Sequence, residues 1–332
     1  MALAVLVYSF LDSMTGHMLN FNLNNYEYCH SFDKIKNIAI NSMDEFPVIN
    51  ICIPTYKRNE YLNRLLNSIY ESAHAPRPCL SVRIHIFDNN PQCGAKAIYD
   101  KWRLLIEDNQ AIELISYRGG VANIGGDANI LKCYVYGSMQ GYKDNHYCWV
   151  IGDDDALSLG CIPSLATVLC EGKSPALVIT GRETGVSPDR ILQFAGNHLS
   201  YRNLILAACQ DYPELPIHHT LISCNIIRSD VFDFMVAANT RATRYSQMYG
   251  LMNGLYSRSN ATGEECAIYV LPGGLADLPT SQFVIEEQKD FGIYREIPFR
   301  WAEYFTWLRL LWGISPLQYD LKLALRSDAW PQ

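Results

Sequence analysis

Between residues 48 and 160 the apolar and polar positions fall into a repeating order. Val48-Ile-Asn-Ile-Cys-Ile53 is a β-branched run closed by Pro54 and predicts a buried strand. From Asn59 onward, Leu62, Leu65, Leu66 and Ile69 recur at helical spacing. Val82 to Phe87 alternates and stops at Asp88-Asn-Asn-Pro91, a strand followed by a turn. Ala95 to Glu107 then reads as helix, Ile112 to Tyr117 as strand, and Gly125 to Tyr136 as helix. Tyr147-Cys-Trp-Val-Ile151 is another buried strand, ending at Gly152. One strand and one helix occupy roughly 30 to 35 residues, the length of a right-handed βαβ crossover. The expected fold class is therefore α/β, with a mostly parallel sheet flanked by helices.

The second half is less regular. A helix is expected after Gly160, a strand over Ala176–Thr180, loop from Arg182 to Pro188, and helix from Tyr201 to Gln210. Thr220 to Arg228 reads as a strand, with Ser229 placed to cap a following helix. Tyr245 to Tyr256 and Pro298 to Trp312 carry helical patterns, with a shorter one from Pro316 to Arg326. Residues 1–46 show no period and read as an N-terminal extension.

Four successive strands end in polar clusters: Pro54-Thr-Tyr56, Asp88-Asn-Asn90, Arg118 to Asn123, and Asp153-Asp-Asp155. Ligands of open parallel sheets bind beyond the carboxyl ends of the strands, so the periodicity predicts that all four clusters share one edge. Three consecutive carboxylates after an apolar strand repel one another. Two readings of the triplet stand side by side. Hard oxygen donors there suit Mg²⁺ or Mn²⁺ shared with substrate phosphates, and Asp before Ala156-Leu157 also suits a polar turn with a helix cap. The glycines 119, 120, 125 and 126 lack dinucleotide-fingerprint spacing.

Composition narrows the picture. The 332 residues are 49% hydrophobic and 18% charged, enough for a sizeable core and little disorder. A net charge of −7 argues against a nucleic-acid partner. Eleven cysteines without Cys-x-x-Cys spacing, many in apolar runs (Cys52, Cys133, Cys148, Cys170, Cys224), read as reduced core residues of a cytoplasmic protein. The apolar stretch Met1 to Leu11 lacks a basic flank and is too short to span a bilayer.

Ile53-Pro-Thr-Tyr-Lys-Arg58, Phe87-Asp-Asn-Asn90, Asn123-Ile-Gly-Gly-Asp-Ala-Asn129 and Ile151-Gly-Asp-Asp-Asp155 resemble, in order and spacing, the nucleotide-binding first half of family-2 glycosyltransferases with the GT-A fold. Gly152 to Asp155 and Ser223-Cys-Asn-Ile-Ile-Arg228 look most like the abequosyltransferase-like branch of bacterial surface-polysaccharide enzymes. The resemblance implies a GT-A catalytic domain over 47–290, donor half 47–160 and acceptor half 161–290, with a C-terminal aromatic helical segment over 291–332. It implies an inverting, metal-assisted transfer from a nucleotide-diphosphate sugar to a glycan acceptor in O-antigen or capsule synthesis. Pro54, Thr55 and Tyr56 match the turn holding base and ribose, and Asp88 the acid at the base. Asn123, Gly125, Asp127 and Asn129 match the nucleoside loop. Asp153 and Asp155 match the DxD motif and its Mn²⁺ or Mg²⁺, with Asp153 and Asp154 also on the donor side. Arg58 is a candidate for phosphate.

The chain departs from that pattern where the family carries Glu-Asp, with the Asp as base. Here Arg244-Tyr-Ser-Gln247 holds no acid. Candidate bases are His218, His219, Asp211 and Glu214, with His219 preferred for its imidazole pKa and a polar loop as the alternative. The stripe Trp301, Tyr304, Phe305, Trp307, Leu308, Leu311 and Trp312 suits either a core helix or a peripheral contact at the inner face of the membrane, near a lipid-linked acceptor. Two rivals stay open: a sugar-nucleotide hydrolase or nucleotidyltransferase, and a non-catalytic GT-A-like module that binds glycan or scaffolds an assembly.

Overall fold

The computed structural model describes residues 46–74, 79–139, 145–170, 174–182, 198–200, 222–239 and 246–276. The first half follows the predicted order: β1 (Val48–Thr55), α1 (Asn59–Ser72), β2 (Ser81–Asp88), α2 (Lys96–Leu105), β3 (Ile112–Gly119), α3 (Gly126–Met139) and β4 (His146–Val150). Then come α4 (Cys161–Cys170), β5 (Leu177–Arg182), β6 (His198–Ser200), β7 (Asn225–Arg228), α5 (Phe234–Asn239), α6 (Ser246–Thr262) and β8 (Ala267–Leu275).

The eight strands form one sheet in the order β3-β2-β1-β4-β7-β5-β8-β6. β1 pairs parallel with β2 and β4, and β2 with β3. β7 runs antiparallel between β4 and β5, and β5 pairs parallel with β8. β3, β2, β1, β4, β5 and β8 therefore point the same way, and the expected α/β class with a mostly parallel, helix-flanked sheet stands. Because the first four strands are parallel, the four polar clusters do share one edge.

Alternate residues of β1 face opposite layers. Ile49, Ile51 and Ile53 join Leu62, Leu65 and Ile69 of α1, Trp102 of α2 and Ile162 and Leu165 of α4 in one apolar cluster. The other face lies under α3, whose Gly137 runs so close to β4 that a Cβ there would sit 2.3 Å from the Cys148 sulfur. Ring stacking of Tyr134 on Phe232 continues that layer toward α5.

Between these layers His85 is fully buried. Asn50 donates its amide to the Tyr147 carbonyl, so its Oδ1 accepts from His85 Nε2 at 3.2 Å. The ring proton is thus on Nε2, and Nδ1 accepts from the Ser116 hydroxyl at 2.8 Å. Burial, with Arg118 and Arg83 adding to it, lowers the imidazole to about 3. A depressed histidine contributes stability that is full above its unfolded value, about 6.5, and lost as pH falls toward the folded one. Asp153 works the opposite way, since its folded value is raised. The His85→Gln variant separates the two. The stability gap between wild type and variant should shrink by about 1.4 kcal/mol per pH unit below about 6.5 in denaturant titrations, and a gap that stays constant from pH 7.5 to 4.5 would show that His85 is not held neutral.

The second half departs from expectation in five places. The strand expected from Thr220 begins only at Asn225, because Ile222–Cys224 is a 3-10 turn. Ser229 does not cap a helix; its N–H goes to the His146 carbonyl, Val231 closes a turn onto Arg228, and Asp233 Oδ1 caps α5 by accepting from the Val236 N–H. β6 and β8 are strands that the periodicity does not predict. Cys170, expected in the core, is exposed, and all nine cysteines among the described residues are free thiols. No helix among these residues is long and apolar enough to cross a membrane. The N-terminal extension, the Tyr201–Gln210 helix and the aromatic segment lie outside the described residues.

Candidate functional site

The site is built from strand register. Val150 pairs with Cys52, so three residues further on Asp153 comes level with Thr55. The Thr55 hydroxyl donates to Asp153 Oδ2 at 2.7 Å, and Arg58 Nη1 reaches Asp153 Oδ1 at 3.2 Å and Asp154 Oδ2 at 3.5 Å. Burial pushes Asp153, 4% exposed, up to about 6, although Thr55 and Arg58 pull it down. Lys57 takes φ 58°, which turns the chain sharply between β1 and α1 and leaves Tyr56 at the rim.

The ends of β2 and β3 are stitched together. Asn89 N–H donates to the Thr55 carbonyl and Gly120 N–H to that of Asp88. The buried Asp88 carboxylate accepts from the N–H groups of Asn90 and Ala95 and from the Tyr117 hydroxyl, each at 2.9 Å. Burial and this carboxylate raise the Tyr117 phenol, which keeps it a donor. Asn89 clips the next loop by donating to Asn123 Oδ1 at 2.7 Å and accepting from the Ile124 N–H at 3.0 Å. Gly125 supplies the left-handed turn, φ 86°, that starts α3. Asn129 is buried and donates to the Phe87 carbonyl, while Asn123, Gly125 and Asp127 are exposed.

At β4 the triplet does not stay extended. Asp155 N–H closes a turn onto the Gly152 carbonyl at 3.0 Å. Consequently Asp154 and Asp155 approach the same point: a Cβ on Gly152 would lie 2.8 Å from Asp154 Oδ1 and 3.3 Å from Asp155 Oδ2. Two carboxylate oxygens over a cradle that only glycine leaves open fit a hard divalent cation that keeps several waters. Among the described residues no cluster of three or more His, Cys, Asp or Glu converges, so such an ion would complete its shell with water and substrate oxygens. The Asp154 side chain is 47% exposed, and Arg64 Nη2 fixes its carbonyl at 2.8 Å.

Of the sequence-predicted residues, Thr55, Arg58 and Asp153 to Asp155 come together in one network, and Asp88, Asn123, Gly125 and Asn129 form an adjoining one. Pro54, Tyr56 and Asp127 border them. His218, His219, Asp211 and Glu214 lie outside the described residues; Ser246 and Gln247 are buried at the start of α6. The sequence reading missed Asn89, Arg64 and Ser223 as site residues, though Ser223 opens a motif that it singled out.

No family model matches this chain. A curated relative, abequosyltransferase RfbV of Salmonella typhimurium strain LT2, is 34% identical over 138 residues, 42% of this chain and 37% of the relative. The match thus spans well under half of the relative's length, and the resemblance to the abequosyltransferase-like branch extends to a curated member of it. Among solved structures, Staphylococcus aureus TarS 1-349 overlaps at 14% identity and a TM-score of 0.44, covering 69% of this chain and 59% of that one. A mannosyltransferase, PcManGT from Pyrobaculum calidifontis in complex with GDP-Man and Mn²⁺, overlaps at 12% identity and a TM-score of 0.45, covering 90% and 83%.

Proposed function

We propose that this chain is an inverting glycosyltransferase that moves a sugar from a nucleoside-diphosphate sugar to a glycan acceptor in bacterial surface-polysaccharide synthesis, O-antigen or capsule. The observation that carries the reading is the meeting of Asp154 and Asp155 over Gly152, beside Thr55 and Arg58, on the edge where four parallel strands end. The likeness over 138 residues to an abequosyltransferase supports it.

In this reading Pro54, Thr55, Tyr56, Asp88 and the Asn123–Asn129 loop cup the nucleoside, with the Asn89–Asn123 clip holding the pocket open. Asp155 is a ligand of Mn²⁺ or Mg²⁺, with Asp154 or Asp153 on the donor side. The cation, when bound, neutralises charge on the departing nucleoside diphosphate. Arg58, pre-aimed by Asp153, adds a guanidinium near the phosphates. The acceptor hydroxyl loses its proton to a base, for which His219 is proposed, and its oxygen bonds to the anomeric carbon as the bond to the diphosphate breaks on the opposite face. Residues 47–160 serve the donor and 161–290 the acceptor. A lipid-linked acceptor and a peripheral, cytoplasmic-face contact through residues 291–332 complete the proposal.

Product analysis tests it. Sugar-labelled donors supplied with Mn²⁺ and lipid-extracted glycan acceptors should move label to the acceptor with inverted anomeric configuration. Label released as free sugar or sugar phosphate would instead favour a hydrolase or nucleotidyltransferase, and nucleotide binding without turnover a binding module.

A further inference from the structure

We infer that Ser223 is a positioning residue that aims the Asp155 carboxylate at the cation cradle, so that the donor site is completed by the antiparallel strand β7 as well as by the parallel half. This rests on the donor-site reading above. The antiparallel register of β4 and β7 pairs Tyr147 with Arg228, Cys148 with Ile227 and Trp149 with Ile226. Continued past the end of the ladder, that register sets Gly152 opposite Ser223. The chain does not continue as strand there; the 3-10 turn of Ile222–Cys224 lifts Ser223 over the end of β4. Its hydroxyl accepts from the Gly152 N–H at 2.9 Å and donates its one proton to Asp155 Oδ2.

The serine is itself held from behind. Its carbonyl accepts from the indole N–H of the fully buried Trp149 at 2.8 Å and from the Thr180 hydroxyl of β5 at 3.4 Å. Ser223 is 2% exposed, so no water competes for the hydroxyl. Gly152, Asp155 and Ser223 thereby form a closed ring of contacts around the cradle, with the Ser223 Oγ 3.7 Å from the point where a Cβ on Gly152 would lie. Hydrogen bonds to a ligating carboxylate fix its orientation, and their loss weakens metal binding by about 10- to 100-fold.

The test uses the full chain and Mn²⁺ with UDP, GDP, CDP and TDP. Mn²⁺ affinity is read by electron paramagnetic resonance in the presence of the nucleotide that binds wild type, and nucleotide affinity is read separately in EDTA. Ser223→Ala should weaken Mn²⁺ binding about 10- to 100-fold and leave nucleotide affinity in EDTA within about twofold, and Ser223→Thr, which keeps the hydroxyl, should recover most of the loss. Wild-type Mn²⁺ affinity in Ser223→Ala would overturn the inference while leaving the donor site standing. An equal loss with and without metal would also overturn it, since that marks general loosening. Failure of wild type itself to bind Mn²⁺ would overturn both.

Discussion

Asp155→Ala should abolish metal-dependent nucleotide binding and lower sugar transfer by roughly 10³-fold, while the protein stays folded. The size follows from removing a fixed anionic ligand for the ion that offsets leaving-group charge, worth about 4 kcal/mol. The fold should survive because the loss is small against the roughly 5–15 kcal/mol that holds a native domain together. Asp155's N–H bond to Gly152 is a backbone contact that alanine keeps, and the side chain's bond to the buried Ser223 hydroxyl is worth about 1.5 to 3 kcal/mol. Asp153→Ala would be a poorer probe. That carboxylate is buried between Thr55 and Arg58, so its removal orphans the Thr55 hydroxyl, takes one partner from the Arg58 guanidinium and mixes site chemistry with stability.

Gly254→Ala should cost about 3 kcal/mol or more, against the usual sign of that substitution. In a helix interior alanine ordinarily gains about 1 kcal/mol over glycine. Here the segment leading from β7 into α5 crosses α6 so closely that a Cβ on Gly254 would lie 1.5 Å from the Val231 carbonyl oxygen and 2.7 Å from its carbon. Gly250, one turn earlier, meets the Asp233 carbonyl and Ala237 at 2.8 Å. The opposing atoms are backbone and cannot rotate away, so the helices must separate, the costly form of overpacking. Urea denaturation should show a lowered midpoint, while Ser257→Ala on the exposed face of the same helix stays within about 0.5 kcal/mol of wild type. Unchanged stability in Gly254→Ala would mean that α6 does not pack on that segment as described.

The first half was legible because each strand is an apolar or alternating run that stops at a polar cluster, and period and punctuation agree. The second half was not, for local reasons. Pro272, Gly273 and Gly274 break any strand period, yet they lie inside β8, where Gly273 takes φ 69° and the register with β5 shifts. The break at Ile222–Cys224 is invisible to hydrophobic period, since Cys224 and Ile226 are as buried as strand residues. Ser229 looked like a cap by residue type, but tertiary pairing with His146 claimed its backbone and moved the helix start to Asp233.

In the site, strand periodicity placed the four polar clusters on one edge, as the parallel register does, but did not show how three consecutive aspartates divide. An extended chain would set Asp153 and Asp155 on one face with Asp154 opposite. The turn from Gly152 to Asp155 instead sends Asp153 down to Thr55 and Arg58 and gathers Asp154 and Asp155 above the glycine. Ser223 could be found only once β7 was known to lie antiparallel beside β4.

The most direct measurement is the melting temperature of wild type and Asp155→Ala with UDP, GDP, CDP or TDP, each with Mn²⁺ and with EDTA. A ligand that binds the native state raises the melting temperature by mass action. The proposed site requires that at least one nucleotide stabilise wild type with Mn²⁺, that EDTA shrink the shift, and that Asp155→Ala show with Mn²⁺ only the shift that EDTA leaves. No shift with any nucleotide, or the same shift in Asp155→Ala, would contradict a metal-diphosphate site at the end of β4.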